Sequence, residues 1–117
     1  MLTTYATYIA TALELTLGKD IFLHNLPLGV DEGLVVQSLE NSTPFSGYET
    51  ILTTVFIFNR SWLTTSSLKD KLTNALLLKY GSIKGSWTII GDITKTDYGL
   101  DAHERFISAV NATIKYI

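Results

Sequence analysis

A chain of 117 residues without cysteine has the length of one domain, 1–117, and excludes disulfides, thiolate metal sites and cysteine nucleophiles together. Its net charge is −2, its seven lysines are dispersed and only Arg60 and Arg105 supply guanidinium groups, which argues against a surface that grips duplex nucleic acid. No apolar run approaches the ~20 residues of a membrane-spanning helix, and the start Met1-Leu2-Thr3-Thr4 lacks the basic residues of a signal peptide.

The first predicted element is a helix over residues 4–17, capped by Thr3 or Thr4 and ended by Gly18 in the left-handed conformation. Leu2, Ala6, Ile9, Ala10, Leu13 and Leu17 share one of its faces. A short strand follows over 20–24, then a turn marked by Pro27 and Gly29, then a strand over 33–39. The polar stretch 40–47, with Pro44, reads as a loop.

Residues 49–60 give the clearest strand signal, rich in Ile, Val, Phe and Thr. Ile51, Val55 and Ile57 lie on one face, and Leu52, Phe56 and Phe58 on the other, so this strand is expected to be central and covered on both sides. A second helix is predicted over 65–80, with Ser67 and Asp70 as its capping box, Leu68, Leu72, Ala75 and Leu76 as its core stripe, and Gly81 as its stop. A strand over 86–93 comes next. The tail 102–117 fits two periods. Phe106, Val110, Ile114 and Tyr116 alternate as in a strand, whereas His103, Phe106, Ile107, Val110, Ile114 and Ile117 fit a helix; the β-branched residues tilt the reading to strand.

Together these elements describe an α+β fold, with one mixed or antiparallel sheet of about five strands flanked by two helices in the order α-β-β-β-α-β-β. There is no internal repeat, low-complexity segment or linker.

Catalytic signals are weak throughout. His24 and His103 are the two histidines, and Asp101 and Glu104 flank the second, but no H-E-x-x-H spacing makes them a zinc site. The carboxylates of 92–101 fail the ligand order of a calcium loop, with Lys95 in the middle, and read as a solvated loop. Residues 81–86 have glycines and a lysine, but follow a helix rather than precede one and read as a turn. No G-x-S-x-G is present. The sequons beginning at Asn41, Asn59 and Asn111 carry little weight in a chain rich in Ser and Thr. No catalytic, cofactor or metal residue is therefore assigned.

What the sequence does show is apolar side chains away from the expected core. Charged residues are 17% of the chain, below the usual quarter, so partners are expected to cover part of its surface. Tyr8 and Leu15 point off the core stripe of the first helix, Leu77 lies opposite that of the second, and Trp62 sits in a loop just past Arg60. Singly, each is an ordinary exposed residue; jointly they mark a candidate subunit interface.

Three stretches resemble the tail terminator proteins of long-tailed phages, also called minor capsid or tail completion proteins. Gly18-Lys19-Asp20-Ile21-Phe22-Leu23-His24-Asn25-Leu26-Pro27 is similar to that family's glycine, short apolar strand and Leu-Pro turn. Thr54-Val55-Phe56-Ile57-Phe58-Asn59-Arg60 resembles its long strand ending in Arg before a helix. Gly99-Leu100-Asp101-Ala102-His103-Glu104-Arg105-Phe106 is similar to its glycine–acid–arginine approach to the last strand. After Pro27, where the family often carries an acid, this chain has Leu28, with acids only at Asp31 and Glu32.

The resemblance implies a structural, non-enzymatic protein without cofactor and with a strand for its tail. It implies a hexameric ring of identical subunits on the end of the tail tube, which stops tube growth and offers a docking face to the head-completion or connector protein. DNA would pass through the ring without specific binding. The protein would reside at the virion neck, and in the host cytoplasm during assembly. Tyr8, Leu15, Arg60, Trp62, Leu77 and Arg105 are the candidate subunit or tail contacts. Two other classes are open: a small-ligand or peptide binding module with a pocket between helix and sheet, and an enzyme using His103 with Asp101 or Glu104.

Overall fold

The computed structural model describes residues 2–39, 49–80 and 87–116. Its elements follow in the order α1 (Leu2–Leu13), β1 (Ile21–Leu23), β2 (Gly33–Leu39), β3 (Glu49–Asn59), α2 (Trp62–Leu77), β4 (Trp87–Leu100) and β5 (Phe106–Tyr116). The five strands form one mixed sheet in the order β1-β2-β3-β5-β4; β1 and β2 are parallel and the other pairs antiparallel. This is the α+β arrangement expected, and the tail is a strand. The loop 40–47, the Asn41 sequon, the stop at Gly81 and the turn 81–86 lie outside the described residues.

Helix α1 ends earlier than the glycine signal suggests. Glu14 takes the left-handed conformation (φ 57°), and the Leu15 N–H reaches back to the Ala10 carbonyl at 2.8 Å. That six-residue closure, with the Glu14 N–H on the Thr11 carbonyl, is a Schellman ending with glutamate in the position glycine usually takes. Leu15 is thus beyond the helix and packs half-buried on the core, and Leu17 is 40% exposed rather than part of the stripe. Gly18 serves the next turn instead, donating its N–H to the Ile21 carbonyl.

Both helices pack on the same face of the sheet. Ala6, Ile9, Ala10 and Leu13 of α1, with Leu72, Ala75 and Leu76 of α2, bury against Ile21, Leu34, Val36, Val55, Ile57, Val110 and Ile114. Tyr5, which the sequence stripe omitted, is fully buried among them. Burial pushes its phenol up to about 12, only partly offset by the neighbouring Thr53 hydroxyl. That hydroxyl donates to the Ala112 carbonyl, and among the described residues the Tyr5 oxygen has no hydrogen-bond partner of good geometry. Tyr8 does not point away from the core: it is half-buried, its hydroxyl donates to the Ala75 carbonyl at 2.7 Å, and its ring meets Trp87 edge-on at 5.2 Å. Tyr5 meets the same indole at 5.5 Å, and the Lys79 ammonium lies 4.6 Å above it. This aromatic cluster ties α1 and the end of α2 to β4.

Helix α2 is capped six residues before its expected capping box. Ser61 is the N-cap, accepting the Thr64 N–H, and Asn59 in turn accepts the Ser61 N–H. Trp62 is therefore the first helical residue and not a loop residue; its ring packs 5.6 Å from Phe106. Strand β4 runs to Leu100, past the expected end at Ile93. Register shifts at Ile90/Thr94 and Asp97/Gly99 break its alternation, which is why its sequence reads as a loop.

The largest departure concerns β3. Val55 and Ile57 are fully buried under the helices, but among the described residues neither helix covers the other face, where Phe56 and Phe58 are half-buried and Leu52 is exposed. The connection between β1 and β2 folds across part of that second face instead.

Candidate functional site

The open face of the sheet carries a groove of ≈ 1010 Å³. Its floor is Val35 and Gln37 of β2, Phe56 and Phe58 of β3, and Ile107 of β5. Cross-strand pairing of Val35 with Phe56 and of Phe58 with Ile107 sets these side chains side by side. One wall is the β1–β2 connection from His24 to Asp31; the other is Tyr98 near the end of β4, with His103 and Arg105 of the β4–β5 turn. The aromatic rings are contiguous, with Phe56 6.2 Å from Phe58 and 6.3 Å from Tyr98.

The end of the groove is closed by charge. The Arg60 guanidinium binds the Asp31 carboxylate at 2.6 and 2.7 Å, and the Arg60 backbone N–H donates to Glu32. Arg105 donates to the Asp31 carbonyl at 3.0 Å and pairs with Asp101 at 2.8 Å, its guanidinium carbon standing 4.9 Å from the Phe58 ring centre. Asp101 also accepts the backbone N–H groups of His103 and Arg105. These contacts, the Arg105 N–H foremost and then its guanidinium and the His103 N–H, hold the Asp101 carboxyl down to about 2. The groove's two charged linings, Asp31 and Arg105, are each neutralised by a partner, so its chemistry is that of an aromatic trough with a polar rim.

Two backbone features fix the walls. His24 begins one wall at φ 72°, with its N–H on the Val36 carbonyl and its own carbonyl on the Gln37 amide. Glu104 turns the other at φ 59°. Both lie in the left-handed region that non-glycine residues rarely occupy.

The structure brings together some of the sequence candidates and separates others. Arg60 and Arg105 meet at Asp31. Trp62 lies beside the N-terminal end of β5, where Leu63 and Leu100 are also exposed. Leu77 points outward at the far end of α2, 49% exposed, next to Leu78 at 79%. Tyr8 and Leu15 belong to intramolecular packing. His24 and His103 both line the groove, but Asp101 receives the backbone of His103 and not its imidazole. Among the described residues, no three ligating side chains come together to hold a metal ion. The segment 92–101 is largely strand rather than the loop expected, with Asp97 taken by Lys69 at 2.8 Å and by the Ser108 hydroxyl.

Sequence reasoning missed the groove itself. Phe56 and Phe58 alternate on one face of β3, and the absence of a third helix to cover that face was a signal that they line a surface. Tyr98 and Asp31 carried no such signal, because their positions depend on a turn and a connection far apart in sequence. The groove also lies on the face away from both helices, not between helix and sheet as the binding-module reading expected. No family model matches the chain, and no curated protein matches it at a significant level.

Proposed function

We propose that this chain is a structural subunit that assembles head to tail into a closed ring, with the role of a phage tail terminator. The observation that carries the assembly reading is the placement of its exposed apolar groups. The groove lies at the end of the sheet where β3 finishes, on the face away from α1 and α2. Leu77 and Leu78 lie at the opposite end, on the helix side, beyond Ala75 and near Lys79 and Trp87. Unlike features on opposite ends of one molecule favour heterologous contacts, and such contacts close into rings when the rotation per subunit permits. Helix α1 carries no charged side chain along its length, which supports the same reading.

The tail-terminator role rests on the resemblance of 18–27, 54–60 and 99–106. It proposes a hexamer at the virion neck, made in the host cytoplasm, seated between the tail tube protein and the head-completion or connector protein, with DNA passing through. A mildly acidic chain with dispersed lysines suits a channel that must not retain DNA.

Mass photometry of the purified protein, alone and with tail tubes, tests this reading. A ring-sized species, or a monomer that becomes ring-sized on tubes, supports it. A protein that remains monomeric in both settings overturns it.

The groove favours one second reading: a module that binds an extended apolar peptide or small ligand. It separates from the first by stoichiometry, since one ligand would saturate a monomer without any growth in mass.

A further inference from the structure

The β1–β2 connection is held to the rest of the molecule at its two ends and scarcely between them. At one end, the His24 N–H bonds the Val36 carbonyl and Gln37 bonds the His24 carbonyl. At the other, Asp31 and Glu32 are taken by Arg60, and the Asp31 carbonyl by Arg105. Among the described residues, 26–30 make a single backbone hydrogen bond, from the Val30 N–H to the Pro27 carbonyl within their own turn. Leu26 and Val30 are half-buried, and Leu28 at the tip is fully exposed. Such a segment has few local contacts to lose when one anchor opens.

The second anchor joins both walls of the groove. Arg105 belongs to the β4–β5 turn, where Asp101 fixes it through its backbone N–H and its guanidinium. The same guanidinium then crosses to the Asp31 carbonyl. Arg60 reaches Asp31 from the end of β3. Two separate elements, the β4–β5 turn and the end of β3, thus meet at one residue of the connection, and the Arg60–Asp31 pair there is about half exposed and open to screening by salt.

We propose that residues 24–32 form a latched strap: the arginine clasp on Asp31 keeps the groove closed at this end, and its release swings the strap off the sheet while the sheet stays intact. The gating follows from the two anchors and applies whether the groove serves a subunit contact or a ligand.

Limited proteolysis of the full chain with thermolysin, read from fragment masses, tests this, with Asp31→Asn, Arg60→Gln and Arg105→Gln compared with the parent. Asp31→Asn is the decisive variant, because it lies at the surface, removes the ion pair with Arg60 and leaves the sheet and the Asp101–Arg105 pair untouched. The expected result is cleavage about tenfold faster at Leu26, Leu28 or Val30 in Asp31→Asn and Arg60→Gln, with β3 and β5 uncut, as for local opening. Added salt, corrected for its effect on the protease with an unstructured peptide, should speed cleavage of the parent's strap towards the variants and leave the variants nearly unmoved. Unchanged cleavage over 26–30 in Asp31→Asn would overturn the latch, and so would acceleration of cuts in the strap and the central strands by the same factor. Arg105→Gln should free the strap too, and faster cleavage confined to the β4–β5 turn in that variant would count against the bridge across the groove.

Discussion

Gly33 lies directly beneath the Phe22 ring. A Cβ at this position would come within 3.0 Å of the ring edge and 3.0 Å of the Asp20 carbonyl oxygen, and its φ of 154° is one that side-chain-bearing residues rarely adopt. The Leu34 N–H bonds that same Asp20 carbonyl, so neither the backbone nor the ring can withdraw without loss. Gly33→Ala should lower stability by about 1–3 kcal/mol, from backbone strain and overpacking. Urea unfolding followed by circular dichroism measures it, and an unchanged midpoint would contradict the close packing described.

Leu15 and Leu77 should respond oppositely to the same substitution. Leu15 packs on the core just after the Schellman closure, so Leu15→Lys should cost about 1–3 kcal/mol of stability. Leu77 is exposed, so Leu77→Lys should leave the monomer within about 0.5 kcal/mol of the parent. If the ring forms as proposed, Leu77→Lys and Leu78→Lys fold normally and lose mass in photometry. Normal assembly by both variants would exclude this end of α2 from the contact.

The unpartnered hydroxyl of Tyr5 makes an alkaline prediction. The folded phenol is raised from 10.0 to about 12, so the folded state keeps its proton longer than the unfolded chain. Its contribution is complete below pH 10 and is lost as pH rises through 12, a fall of about 3 kcal/mol by linkage. Tyr5→Phe removes a buried group without a partner, and should be near neutral at pH 7 while flattening the alkaline decline. Parallel alkaline unfolding of the two proteins decides it.

Asp101 gives the acid counterpart. Its carboxyl is depressed from 3.8 to about 2, so the charged form is favoured in the folded state. The stability it adds is present above pH 4 and disappears as pH falls towards 2. Asp101→Asn should remove that part of the acid dependence and raise proteolytic cutting at the turn 101–105, read from fragment masses.

Much of this fold was legible because its signals are local. The edges of β2 follow Gly33 and the apolar run after it, and the core stripe of α2 follows the spacing of Leu68, Leu72, Ala75 and Leu76. Where the reading failed, a tertiary condition replaced a local one. Glu14 adopts a conformation usually left to glycine, so Gly18 misled. Ser61 outcompeted Ser67 as a cap because Asn59 holds its N–H and the helix gains Trp62 packing on Phe106. β4 hid its length behind two bulges. The two apolar faces of β3 were read correctly as faces, but periodicity does not say what covers them. The clasp at Asp31 was not legible at all, since Arg105 lies 74 residues further along the chain.

The placement of β3 beside β5 shapes how the molecule must be made. Thr53 bonds the Ala112 carbonyl across 59 residues, with α2 and β4 lying between the two strands in sequence. Closing so long a loop costs entropy before any central pair rewards it. The β4–β5 hairpin can form early from neighbouring residues and then dock on β3 as a finished unit. Until it does, the apolar edge of β3 is bare, and a newly synthesised chain is at its most vulnerable to aggregation in that interval.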